Sequence, residues 1–151
     1  MPTAPQPTAA SASSSLAELS WFGVAPGQIG IWWALAAPFV ERALAQGRGE
    51  MIPEDVRRFL ASRAMQLWLL WDGAVRGALV TEIANHPRKR ICVLRLFAAD
   101  PGLRAAWMRL APAIEFWAKA QGCAAIEVFG RPGWAKILGY ELKQVVLSKE
   151  L

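Results

Sequence analysis

This 151-residue chain holds only two cysteines, one histidine and one tyrosine. With His86 as its only histidine, the sequence argues against a histidine-based metal site and against a Ser-His-Asp triad. Cys92 and Cys123 each stand at the start of an apolar run, without Cys-x-x-Cys spacing, and read as buried free thiols suited to a reducing compartment. Charge is also thin. The 17 Lys and Arg against 12 Asp and Glu leave a formal +5 that is scattered, so no basic stripe marks the chain as a nucleic-acid binder. The one short cluster, Arg88-Lys89-Arg90 beside His86, reads as a solvated turn, with contact to a phosphate as the alternative.

What the chain has is apolar mass. Hydrophobic residues make up 54% of it, with eight Trp, which is material for one core in one domain. Residues 1–19 are Pro, Thr, Ala, Ser and Gln with little else and read as a disordered tail, or one that docks on a neighbouring subunit, ahead of a domain over 20–151. They lack the basic start and apolar middle of a signal peptide. From Trp21 to Val40 no charge occurs, a length that would cross a bilayer. Pro26, Gly27, Gly30 and Pro38 break the stretch and no basic flank precedes Arg42, so a membrane span is set aside. The same residues predict a helix from about Gln28, with Trp32, Leu35, Ala36, Phe39 and Ala43 on one face and a kink at Pro38.

Ile52-Pro53-Glu54-Asp55 opens a second helix, with proline in the first turn and acids at the positive end of the dipole; Val56, Phe59 and Leu60 form its buried side. Gln66 to Trp71 reads as a strand, Asp72-Gly73 as a hairpin turn and Val75 to Ile83 as the returning strand. The best-marked stretch runs from Arg90 to Gly130. Ile91 to Phe97 is an apolar strand, and Leu103, Trp107, Leu110, Ile114 and Trp117 recur as one face of a helix that Pro112 should bend. Gly122 ends it, and residues 124–129 make a strand parallel to the first. Such a βαβ unit binds ligands beyond the carboxyl ends of its strands, here around Ala98 to Arg104 and Gly130 to Trp134. A short helix stopped by Gly139 and a last strand from Tyr140 to Leu147 complete the order ααβββαβαβ.

This order, with Gly139-Tyr140 after a short helix, resembles the Gcn5-related N-acetyltransferase (GNAT) fold of the acyl-CoA N-acyltransferases: an α/β (α+β) architecture with a central mixed sheet flanked by helices, here without its first strand. Leu-Trp-x-x-x-Gly, Val-Thr-Glu-Ile, Gly-Cys-x-x-Ile-Glu and Gly-Arg-x-Gly-Trp are similar to a branch of such proteins carried by tailed phages and prophages. The resemblance implies acetyl-CoA as cofactor, held by Leu96, Phe97, Ala98, Gly102, Leu103, Arg104 and Trp134. It implies transfer of an acyl group to an amine or protein acceptor in the cytoplasm. The family's phosphate loop runs Arg or Gln, two residues, Gly, one residue, then Gly or Ala. The matching residues here, 98–104, keep one glycine, while Pro101 has no N–H and Asp100 would repel phosphate. Arg104 would partly compensate, and the tyrosine that the family often places a few residues before its closing Gly-Phe falls at about Trp134 or Ala135. Glu82 and Glu127, carboxylates inside apolar strands, are the candidate catalytic bases, with a structural ion pair as the plainer role of each. The rival expectation is a non-catalytic, virion-associated scaffold that contacts phage structural proteins, alone or as an oligomer. Of the Trp residues, Trp107 and Trp117 belong to the core stripe, whereas Trp21, Trp32, Trp33 and Trp134 lie where a groove or a partner could use them.

Overall fold

Alternating apolar residues on four consecutive antiparallel strands bury both faces of one sheet, and two pairs of helices cover them. The computed structural model describes residues 19–130 and 133–151, with the backbone alone for 104–107. The expected tail lies outside the described residues, apart from Leu19. The strands are β1 (Ser20–Val24), β2 (Gln66–Trp71), β3 (Val75–Asn85), β4 (Arg90–Ala99) and β5 (Ala125–Val128), and they lie in that order across the sheet. Neighbours from β1 to β4 are antiparallel, and β5 joins β4 in parallel through the crossover helix α3 (Arg104–Ala120). Helices α1 (Ile29–Leu44) and α2 (Pro53–Ala61) precede the hairpin, and α4 (Gly133–Leu138) follows β5.

Two cores result. On one side, Trp32, Ala36, Phe39 and Val40 of α1 and Val56 and Leu60 of α2 pack on Phe22, Leu67, Leu69 and Val80. On the other, Ile114 and Ala118 of α3 meet Trp21, Trp68, Leu70, Leu79 and Cys92. On this α3 side Thr81 is the one buried polar side chain among the described residues; it accepts from Trp68 Nε1 at 3.1 Å and donates to Gln66 Oε1 at 2.9 Å. Asp55 starts α2 by accepting the Ile52 N–H at 3.0 Å, a cap that holds its carboxyl below the ordinary range.

Four expectations change. The uncharged stretch after Leu19 opens as strand β1, paired from Ser20↔Trp71 to Val24↔Leu67, so the first strand is present. Trp21 and Trp32 are 6% and 1% exposed and belong to the cores. Leu35 and Phe59 turn outward, at 44% and 42% exposed, because the helices bury narrower stripes than the apolar pattern suggests. Finally, residues 140–147 form neither strand nor helix, and 141–151 are exposed throughout. Both prolines lie inside continuous helices, Pro38 in α1 and Pro112 in α3. Among the described residues no helix is long and apolar enough to cross a membrane.

Candidate functional site

A bulge in β4 sets the site. Val80 pairs with Leu96 and Thr81 with Leu94, which leaves Arg95 as the extra residue on the bulged strand. On the other side, the parallel ladder with β5 runs from Ile91↔Ala125 to Leu94↔Val128 and stops there. Beyond Leu94, β4 continues through Arg95–Ala99, and no described strand pairs with that side of it. The result is a stretch of strand edge facing the gap past the end of β5.

The α3–α4 side of the gap is closed by aromatics. Phe97 meets Trp134 at 6.1 Å and Trp21 at 6.2 Å, ring to ring, both edge-on. Trp134 also folds over Gly130, where an added Cβ would lie 3.1 Å from Trp134 Cδ1. A side chain at residue 130 would require Trp134 to give by a few tenths of an ångström. Leu96 and Ala98 point to the opposite side, toward the α1–α2 core.

At the end of β4 the chain turns through Asp100, Pro101 and Gly102 into α3. Gly102 adopts φ +85°, a left-handed turn that glycine tolerates without strain. Leu103, at the N-cap, provides no side-chain hydrogen bond to the helix's leading N–H groups, and Arg104 is the first helical residue. Asp100 is not a lone charge here. Its carboxylate lies 3.8 Å from Arg76 Nη1 and its N–H donates to the Arg76 carbonyl at 2.7 Å, while Arg76 Nε donates to Asp72 at 2.9 Å. Arg42, from α1, donates to the Ala99 carbonyl at 2.8 Å. Two guanidinium groups that neither motif nor periodicity pointed to thus stand at this turn, Arg42 on the Ala99 carbonyl and Arg76 shared between Asp72 and Asp100.

On the α1–α2 side, register does what sequence could not. Glu82 of β3 is opposite Val93 of β4, and Val93 is opposite Glu127 of β5, so both candidate bases occupy one row on one face. Two strand spacings separate them, roughly 10 Å. Both are half-buried. Glu82 pairs with Arg95 Nη1 at 3.5 Å, whereas Glu127 forms no ion pair with another described residue. Arg131, four residues on from Glu127 in the chain, lies outside the described residues. Glu82 and Arg95 also line a cavity of about 380 Å³ with Glu50, Asp55, Phe59 and Met65. Arg95 was the missed signal: a single cation within an apolar strand run.

Tyr140 sits elsewhere. It shares a groove with Glu115 and the start of β5, and burial, then the Glu115 carboxylate, push its phenol up to about 12. As the only tyrosine of the chain, it leaves the bulged end of β4 without a phenol. Cys92 is buried under α3 and its thiol is pushed up to about 12 by that burial, with Cys123 adding to the shift; neither cysteine is in a disulfide.

No family model and no curated protein matches the sequence. Solved structures do match. An aminoglycoside acetyltransferase, meta-AAC0020 from an uncultured soil metagenomic sample, superposes with a TM-score of 0.66 at 13% identity, over 88% of this chain and 96% of that one. Aminoglycoside N-acetyltransferase AAC(6')-Iy in complex with CoA gives 0.63 at 14% identity, over 89% and 95%. AAC(6')-Ih from Acinetobacter baumannii gives 0.61 at 16%, over 89% and 99%. The protein therefore has the fold of the GNAT acetyltransferases. At these identities the likeness establishes fold, and function has to be argued from the site.

Proposed function

We propose that the protein is an acyl-CoA-dependent N-acyltransferase that moves an acetyl or other short acyl group to a cationic amine. One observation carries the reading: at Arg95 the bulge, the end of the β4–β5 ladder and the carboxylate-lined cavity meet. The strand edge at Arg95–Ala99 offers backbone groups to an extended, amide-bearing arm such as that of CoA. The uncapped first turn of α3, with Arg42 and Arg76 alongside, suits a pyrophosphate. Leu96, Phe97, Ala98, Gly102, Leu103 and Trp134 border these two places, and Arg104 opens the helix. Pro101 withholds one N–H, so the cradle is weaker than a full glycine loop. Acetyltransferases of this fold, one of them holding CoA, support the assignment.

When bound, the thioester supplies an activated acyl carbon. The chain's own contribution begins with the amine. Around the cavity Arg48 pairs with Glu50 at 3.2 Å and Arg58 with Asp55 at 2.6 Å, so Glu82 is the carboxylate placed to meet a cationic acceptor. Glu82 accepts the ammonium proton, Arg95 fixes that carboxylate, and Glu127 stands in the same row as the second base. The geometry offers no phenolic acid for the leaving thiol. The purified protein should release CoA thiol from acetyl-CoA only when a primary amine is added, polyamines and aminoglycosides being the first to try. Glu82→Gln should lower that rate by about 10²–10⁴-fold without weakening CoA binding.

The second reading, a non-catalytic scaffold of the kind tailed phages carry, is favoured by the Asp100-Pro101 loop and the missing phenol. Absence of amine-dependent thiol release across such a panel would select it.

A further inference from the structure

The cavity beside Arg95 carries three carboxylates, and each has a guanidinium partner: Arg48 on Glu50, Arg58 on Asp55 and Arg95 on Glu82. Three acids against three bases leave these six groups without net charge, so they gather no polycation. Asp55 is committed twice, because its second oxygen accepts the Ile52 N–H at 3.0 Å. The Glu82 contact, at 3.5 Å, is the longest of the three, against 3.2 Å and 2.6 Å. Glu82 can therefore take one ammonium group without a short pair being broken.

The rest of the lining is apolar: Met51, Phe59, Ala64 and Met65 around about 380 Å³. That is a small site, since small-molecule pockets run from roughly 300 to 1,000 Å³. Phe59, the one ring of α2, belongs to neither core, and the two thioethers beside it adapt to a ring edge or an alkyl branch. The wall is also fixed in place. After α2 the chain turns through Arg63, the one non-glycine residue with left-handed backbone among those described, at φ 70°. The Phe59 carbonyl accepts the Met65 N–H at 3.1 Å and the Ser62 hydroxyl at 3.2 Å, which ties Ala64 and Met65 to the turn that carries Phe59. Such a conformation persists only where the surrounding structure enforces it.

We infer that this cavity selects a primary amine with a single positive charge on a compact apolar body, a ring or a branched alkyl group, over polyamines and aminoglycosides. The inference rests on the N-acyltransferase reading, whose acceptor it narrows. Glu82 meets the single ammonium, and Met51, Phe59 and Met65 meet the body. Each further charge of a polycation has to lie on that apolar wall or face a carboxylate that an arginine already holds, and an unmatched charge taken out of water lowers affinity. The polycations named above thus become the contrast, even though solved structures of this fold include aminoglycoside acetyltransferases.

The test compares 2-phenylethylamine, 3-methylbutylamine, spermidine and an aminoglycoside in thiol release from acetyl-CoA by the full chain. Both monoamines should exceed both polycations in kcat/KM by at least about tenfold. Phe59→Ala, at a position that neither core uses, should raise the KM for 2-phenylethylamine about tenfold and leave spermidine nearly unchanged. Arg48→Gln with Arg58→Gln, which releases Glu50 and Asp55, should narrow the gap by favouring spermidine. Titration calorimetry gives a readout besides turnover: 2-phenylethylamine should bind more tightly than spermidine, and Phe59→Ala should weaken it. Spermidine or the aminoglycoside turning over as well as the monoamines would overturn the inference and leave the N-acyltransferase reading standing. Thiol release with none of the amines would overturn that reading, and the calorimetry then decides the inference: it stands if the monoamine binds more tightly in a Phe59-dependent way, and falls if it does not.

Discussion

Arg95 does two things at once: its backbone is the bulge that offsets β4 from β3, and its guanidinium holds Glu82 at 3.5 Å. Arg95→Ala should therefore raise the KM for the amine and lower kcat together, with little loss of stability, since the pair is partly solvated. Glu82 and Glu127 were legible in the sequence as charges inside apolar strands. Their sharing of one row was not, because a row depends on strand register, and register here shifts at the bulge. Thr81 sits on the opposite face. Its hydroxyl satisfies Trp68 and Gln66 in a buried setting, so Thr81→Val should cost about 1–3 kcal/mol in urea unfolding. Cys92 gives a pH prediction with a definite sign. Its thiol is raised from 9.0 to about 12 in the folded chain, so the folded state keeps a proton that the unfolded state releases. The associated stability is complete below pH 9 and lost as pH rises toward 12, as it is for Tyr140 from 10.0 to about 12. Melting temperature should fall across that window, and Cys92→Ala should flatten the slope even though its cavity lowers the starting value.

Among the elements, strong periodicity was read correctly from sequence: α1, α2, β2 to β5, α3 and α4 all stand within a few residues of where apolar pattern, proline and glycine place them. β1 was hidden because its five residues lie in an uncharged stretch whose length suggested a membrane or a helix. The C-terminal segment fails in the opposite way. Its strand pattern is real, but a strand needs a partner, and among the described residues no strand pairs with 141–147. Close approach of β3 and β4 is a further requirement that pattern does not reveal. A Cβ at Gly77 would lie 2.9 Å from the Ala98 carbonyl oxygen and 2.9 Å from Ala99 Cβ. Gly77→Ala should destabilise by about 1–3 kcal/mol and, by displacing the candidate CoA edge, weaken CoA binding as well. In the turn before α3, Pro101→Gly would restore a donor where the phosphate cradle lacks one, and acetyl-CoA should bind severalfold more tightly.

At the scale of the molecule, one sheet separates two tasks. The α3–α4 side closes the gap past β5 with Phe97, Trp134 and Gly130, and the α1–α2 side carries the carboxylate row and the cavity. Their common border is the strand edge at Arg95–Ala99, which is where a thioester and an amine would meet. Sequence could bring the helix start and the strand end together, since they are adjacent in the chain. It could not bring in Arg42 and Arg76, which reach the Ala99–Asp100 turn from α1 and β3. Titration calorimetry with acetyl-CoA tests this arrangement most directly. One site per chain is expected, weakening with salt as a pyrophosphate contact does, and stabilising the fold by about 2.7 kcal/mol at ~100 times the dissociation constant. Absence of both heat and thermal stabilisation at millimolar acetyl-CoA would contradict it.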